Sequence, residues 1–299
     1  MILLGQLAAL GTAFCWSFTA IFFSYSGKLV GSSVVNRSRL LFAFFFVAVT
    51  HLVLQGTLFP FGTEPYRWGW LALSAILGLV LGDTFLFQAF VLIGPRLSTL
   101  MMASVPLIST LLAWIFLGER MSGLELAGIL LTVAGIAWVV TERRSSESVV
   151  PEKKYVLGIT FALLGAIGQA TNLIAAKFAL DDGYPAISAS AIRILIALLI
   201  LWGVAMFQGQ FRYTIRQWGN RNAFKAIIGG TIVGPFLGIW LSLIAVQLAP
   251  VGLAATLMAL PPIILIPIGR VLYGERVSNR GIVGTILALC GVALIFLPI

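Results

Sequence analysis

The sequence predicts an all-α integral membrane protein with ten transmembrane helices arranged as two inverted five-helix repeats. Three observations carry this expectation. The 299-residue chain is 60% hydrophobic and 10% charged, with a mean hydropathy of +1.06, where a soluble domain carries about 25% charged residues. Ten apolar stretches are separated by short polar punctuation. One phrase is written twice, FLGERMS from Phe116 to Ser122 and LYGERVS from Leu272 to Ser278, 156 positions apart.

A helix crosses the hydrocarbon core with roughly 20 apolar residues. On that measure the spans fall at 3–25, 33–54, 68–92, 96–117, 123–140, 156–179, 185–207, 223–247, 251–273 and 279–298. The N-terminal MILLGQLAALGTAF has no basic n-region and no small-residue cleavage site, so the first span is expected to be permanent. The longest polar stretch, TERRSSESVVPEKKY at 141–155, falls at the midpoint and divides the chain into repeats at 1–145 and 146–299. No soluble domain fits between the spans. Cys15 and Cys290, the two cysteines, both lie in apolar spans, so no disulfide framework is expected.

Sliding the second half over the first by 156 positions sets Gly78 on Gly234, Gly82 on Gly238, Met102 on Met258 and Pro106 on Pro262. The Gly-Glu-Arg triplets then coincide, followed by Gly128 with Gly284 and Gly135 with Gly291. Nearer the start an offset of 154 sets RLLFA, from Arg39, on RILIA, from Arg193. Five spans per copy is an odd number, so the second copy enters the membrane from the opposite side. Inverted repeats of this kind build many secondary transporters, because two similar halves facing opposite ways can exchange conformations around a central site.

Duplicated five-helix halves, each with Gly-Glu-Arg after its fourth span and a G-x6-G span behind it, resemble the EamA-type families of the drug/metabolite transporter superfamily. The resemblance covers essentially the whole chain. It implies a ten-helix carrier in the cell membrane for small metabolites, often amino acids or related compounds, frequently working as an exporter by alternating access. It also implies a cavity lined by helices 1, 3, 4, 6, 8 and 9. Expected partners are the lipid bilayer, a small-molecule substrate and at most a second copy of the chain. A multidrug efflux carrier and a passive facilitator are the alternatives. No enzyme activity, cofactor, metal or nucleic acid is expected: there is no Walker loop, nucleophile elbow or metal-spaced Cys/His set, and His51 stands alone.

The formal charge of +9 does not argue for nucleic acid, since basic residues of membrane proteins gather in cytoplasmic loops. Loops 1–2, 3–4, 5–6, 7–8 and 9–10 with adjoining helix ends hold most Lys and Arg, from Lys28, Arg37 and Arg39 to Arg270, Arg276 and Arg280. The opposite face holds Arg67, Arg120, Lys177 and Arg193. The bias puts both termini outside, whereas the resemblance implies termini inside.

Asp83 is the carboxylate well inside a span, and its repeat mate is Ile239. Such a residue usually faces a bundle interior or a watery cavity. It reads as a proton-coupling or substrate-amine site, or as the structural partner of an arginine. Arg39 and Arg193 begin helices 2 and 7. They are expected to snorkel to the headgroups, with neutralisation of Asp83 or of a substrate carboxylate as the sharper alternative. Gln169 and Asn172 share one face of helix 6 and are the best uncharged binding candidates; Gln88 and Gln247 are further buried amides. Trp16 and Trp240, near span centres, are read as cavity walls or bundle filling.

Gly78, Gly82, Gly234 and Gly238 form small-xxx-small faces for close helix approach. Pro106 and Pro262, with Pro261 and Pro267, are expected to interrupt helices 4 and 9. Broken helices in matching positions point to a binding site, which places the cavity near Met102 and Met258. Each Glu of the Gly-Glu-Arg phrases is expected to cap the helix that follows it.

Overall fold

The computed structural model describes residues 1–140, 152–265, 268 and 279–296. The linker at 141–151, the second Gly-Glu-Arg phrase, Pro267 and Arg270 lie outside the described residues. In lipid every backbone polar group needs an internal partner, which leaves helices as the solution for an apolar chain with no strand among its described residues. Among the described residues six helices are long and apolar enough to cross a membrane, and four shorter apolar helices stand at the other four expected positions.

In chain order these are α1 (Ile2–Val30), α2 (Ser32–Gln55), α3 (Pro65–Gly94), α4 (95–102 and Val105–Leu117), α5 (Gly123–Val140), α6 (Glu152–Ala179), α7 (Ala186–Phe207), α8 (Arg221–Leu248), α9 (Val251–Met258 and 261–265) and α10 (Asn279–Phe296). A short surface helix at Phe211–Gln217, not expected from the sequence, joins α7 to α8. The turn from α3 to α4 is made at Gly94, whose φ of 79° suits a residue without Cβ. At Gly118, φ 65°, the chain leaves α4 through a left-handed C-cap.

Four departures from α geometry come in matched pairs. The middle of α3 is a π-helix, Ala75–Gly82, and the middle of α8 is another, Ile232–Gly238. Helix α4 breaks at Ala103–Ser104, and α9 breaks at Ala259–Leu260. Pro106, Pro261 and Pro262 do not interrupt these helices from within, contrary to the expectation from the sequence. Pro106 sits in the first turn of Val105–Leu117, and Pro261 opens the segment at 261–265. A first-turn proline loses no helical hydrogen bond, so it starts the second half-helix and leaves the break just before it.

The packing keeps its pattern when each helix is exchanged for the one five places on. Helix α1 lies on α8 and α9, as α6 lies on α3 and α4; α2 pairs with α7, α4 with α9 and α5 with α10. Loop 2–3 meets loop 6–7, where Thr63 Oγ1 and Tyr184 Oη share a hydrogen bond at 2.5 Å. The start of α2 meets the α7–α8 connection, with Arg37 Nη1 donating to Thr214 Oγ1 at 3.0 Å and Trp218 Nε1 to Ser38 Oγ at 2.8 Å. Loops 2–3 and 7–8 are equivalents in the two copies, and they lie at opposite ends of the bundle. The repeat is inverted.

Glycines set the closest helix approaches. A Cβ on Gly135 of α5 would lie 2.5 Å from the Ala288 amide nitrogen and 2.7 Å from the Gly284 carbonyl of α10. Backbone cannot step aside there. Gly135→Ala is therefore expected to lower stability by about 1–3 kcal/mol through overpacking. Gly69→Ala, in open space within α3, is expected to leave stability unchanged or raise it by up to about 1 kcal/mol. Thermal unfolding of both variants in detergent checks this, and equal shifts for the two would refute the close contact.

Candidate functional site

A cavity of about 140 Å³ lies on the pseudo-two-fold axis, between the two repeats. Its lining comes in repeat-related pairs: Trp16 with Gln169, Thr19 with Asn172, Arg39 with Arg193, Asp83 with Ile239, and Met102 with Met258. The pairs share positions and differ in chemistry. Helix α6 offers amides where α1 offers an indole and a hydroxyl, and α3 offers a carboxylate where α8 offers an aliphatic chain.

The polar members form one chain across the repeats. Arg39 Nη2 donates to Asp83 Oδ2 at 2.5 Å, and Arg39 Nε to Asn36 Oδ1 at 2.9 Å. The other carboxylate oxygen, Asp83 Oδ1, accepts from Gln169 Nε2 at 2.8 Å. Asn172 Nδ2 donates to Gln169 Oε1 at 2.9 Å, and Arg193 Nη2 donates to Asn172 Oδ1 at 2.6 Å. Arg39 and Arg193 are each 3% exposed, and Asp83 is 8% exposed. Neither arginine snorkels. Both lie too deep, and each finds an oxygen partner inside the bundle.

The π-helix of α3 ends at Gly82 and hands the chain directly to Asp83. Gly78 abuts Asn172, and Gly82 lies against Gln169, so the wide turn presses closely on α6. In the other half Gly234 abuts Thr19 and Gly238 abuts Trp16, the same contact repeated on α1. Ser74 Oγ, one residue ahead of the π-helix, donates to the Asn172 carbonyl at 2.9 Å. The Arg39 guanidinium also lies 4.7 Å from the Phe87 ring centroid, within cation–π range.

Gly234 and Pro262 also line the cavity, while Gly78, Gly82, Gly238 and Pro106 do not. Gln88 and Trp240, two binding candidates from the sequence, lie off it. Gln88 Oε1 accepts from Ser32 Oγ at 2.7 Å, tying α3 to the start of α2. Trp240 stacks on Phe236 with centroids 6.4 Å apart. Gln247 ties α8 to the α6–α7 connection through the carbonyls of Leu180 and Tyr184. His51 is a buried linker, bonded to the Thr57 carbonyl and to Ser188 Oγ. The sequence reading missed Thr19, Phe87 and Phe90 in the lining and Asn36 behind Arg39. The i,i+3 spacing of Asn36 and Arg39, and the i,i+4 spacing of Asp83 and Phe87, were the available signals.

The face bearing loops 2–3, 4–5, 6–7 and 8–9 is tied by charged side chains that cap helix ends. Glu119 Oε2 accepts from the Val251 amide at 2.7 Å, so it caps the start of α9, in the opposite repeat. This corrects the expectation that it caps the following helix. That helix, α5, has its own capping box, with Glu125 N–H donating to Ser122 Oγ at 3.2 Å and Ser122 N–H to Glu125 Oε2 at 2.8 Å. Lys177 Nζ donates to the Val246 carbonyl at 2.5 Å, at the C-terminal end of α8. Arg67 Nη1 donates to the carbonyls of Ala179 and Asp181 at 2.7 and 2.8 Å, at the end of α6.

With Arg37, Arg39, Arg67 and Arg193 buried, the charge count is cleaner than in the sequence. Among the residues whose exposure is described, Lys28, Lys153, Lys154, Arg212, Arg216, Arg221, Lys225 and Arg280 are exposed at the ends facing loops 1–2, 5–6, 7–8 and 9–10, against Arg120 at the opposite face.

The family model described as "EamA-like transporter family" matches twice, over residues 3–141 and 156–297. A solved structure described as "Crystal structure of protein" superposes with a TM-score of 0.76 at 19% sequence identity, covering 98% of this chain and 96% of that one. At that identity the likeness concerns the fold. Comparison with curated proteins returned no match.

Removing one partner of a buried ion pair leaves the other charge uncompensated, at a cost of about 3–5 kcal/mol. Asp83→Leu and Arg39→Leu are each expected to destabilise by that order, and the double variant by clearly less than their sum. Additive melting shifts across the cycle would refute the pairing.

Burial pushes the Glu119 carboxyl above its ordinary value. An acid so shifted contributes stability below its ordinary range and loses it as pH rises through the raised value. Glu119→Gln keeps an acceptor for the Val251 amide without a half-buried charge. Its melting temperature relative to the parent is expected to rise as pH increases from the ordinary carboxylate range through the raised value; a constant or falling difference would contradict the half-buried carboxyl.

Proposed function

The chain belongs to the EamA-like transporter family, and from that premise we propose that it is a secondary carrier of small metabolites, amino acids or related compounds, working by alternating access in the cell membrane. The observation that carries the proposal is the polar chain in the central cavity. Asp83 belongs to one repeat, Gln169 to the other, and their hydrogen bond spans the surface on which the halves would rock. The transporting repeats are 1–145 and 146–299. Both cavity walls come from one chain, so a single copy makes a complete transport unit.

The Glu119–Val251 cap joins the first repeat to α9, and breaking it frees the end of a cavity-lining helix. We read this conformation as closed at that face. The excess of exposed cations at the opposite face supports placing that opposite face in the cytoplasm. A cavity closed on the outside and loaded from the cytoplasm fits export.

Counterflow in liposomes tests the carrier. Protein reconstituted with an internal pool of amino acids is expected to accumulate external labelled amino acid transiently and saturably, and Gln169→Leu to slow the exchange by about tenfold or more. Flux that never exceeds equilibration and shows no trans-stimulation would replace the carrier with a passive facilitator. Exchange of hydrophobic cations with no amino-acid exchange would favour a multidrug carrier.

A further inference from the structure

We propose that the cavity holds a carboxylate subsite at Arg193, and that its ligands carry one carboxylate on an apolar body with no requirement for an amino group. The inference rests on the reading of the cavity as the transport site. Two guanidiniums, Arg39 and Arg193, and one carboxylate, Asp83, line the cavity. Asp83 is committed on both oxygens, Oδ2 to Arg39 and Oδ1 to Gln169. It has no free oxygen for a ligand ammonium while that chain stands.

Arg193 is in the opposite condition. Its one described hydrogen bond runs from Nη2 to the neutral amide of Asn172, and its Nε has no partner among the described residues. No described carboxylate lies within ion-pair distance of it. A guanidinium offers five donors in a planar fork that fits a carboxylate. A buried guanidinium with no ion-pair partner in direct contact among the described residues is poorly satisfied by apolar surroundings, and an incoming anion supplies what the site lacks.

The remaining walls define the rest of the ligand. Trp16, Leu79, Phe87, Phe90, Met102 and Met258 are aromatic, aliphatic or thioether groups. They suit an aromatic or branched aliphatic body. A zwitterionic amino acid satisfies the carboxylate subsite, and its ammonium gains no dedicated partner. The corresponding deaminated acid matches the surplus positive charge of the lining equally well.

Three probes with one aromatic body separate the charges: 3-phenylpropionate, phenylalanine and phenethylamine. Radiolabelled equilibrium binding to the full-length chain in lipid nanodiscs is expected to detect both carboxylates and to find the amine weaker by about tenfold or more. Arg193→Gln is expected to weaken carboxylate binding by about tenfold or more, with Arg193→Lys retaining part of it. Met258→Trp, which fills the cavity without touching the charges, is expected to weaken both carboxylates alike.

Amine binding as tight as carboxylate binding overturns the proposal. So does undiminished carboxylate binding by Arg193→Gln, or binding of none of the three by folded parent protein. The ranking of probes on the parent decides the matter even if Arg193→Gln fails to fold. Carboxylate binding without counterflow would leave the subsite standing and remove the carrier. Counterflow indifferent to the carboxylate would do the reverse.

Discussion

Charged groups buried among apolar helices need partners, and here five side chains are linked by that need: Arg39, Asp83, Gln169 and Asn172 satisfy one another, and Arg193 joins them through a single bond to Asn172. They come from α2, α3, α6 and α7. Hydrocarbon offers no competing water, so each must reach the next, and the positions of four helices are fixed by that requirement. The glycines follow from it. Asn172 can sit where it does because Gly78 has no Cβ to obstruct it, and Gln169 because Gly82 has none. The π-helix ending at Gly82 sets the phase at which Asp83 emerges toward the cavity.

The inverted repeat supplies a frame that is symmetric in backbone and asymmetric in side chains. The π-helices, the broken helices and the glycine contacts recur in both halves. Polar groups concentrate on α3 and α6, while their mates on α8 and α1 include Ile239 and Trp16. Symmetric backbone lets the halves interchange conformations. Asymmetric lining lets a ligand lie in one orientation throughout. The caps at the loop 4–5 and 8–9 face bind helix ends through their dipoles, which holds rigid elements without packing them permanently together.

The spans, the duplication and the inversion were legible because they depend on composition and register, which a sequence carries explicitly. Asp83, Gln169 and Asn172 stood out because polar residues are rare in apolar spans. Their mutual arrangement was not legible, since it depends on which helices adjoin. Arg39 lies only seven residues into α2, and distance along the chain alone suggests the headgroups. A carboxylate on another helix draws it inward. Gln88 and Trp240 were misplaced by rotation. At roughly 100° per residue, Gln88 is turned well away from Asp83, and Trp240 from the cavity-lining Ile239. Nothing in the sequence signalled the π-helix of α3, because its glycines read equally well as ordinary packing contacts. Glu119 was read as a cap for its own neighbour, since sequence shows adjacency and conceals the α9 terminus that folding brings alongside.

The capping contacts at that face share a further property. Glu119, Lys177 and Arg67 reach main-chain groups of Val251, Val246, Ala179 and Asp181. The four partners contribute a main-chain amide or carbonyl, which nearly every amino acid possesses. Their side chains are therefore released from the contact and can drift, or be redesigned, as long as the helix ends where it does. The three charged side chains have no such freedom. In a randomised library these ties would leave an uneven footprint, strict at three charged positions and permissive at the four they hold.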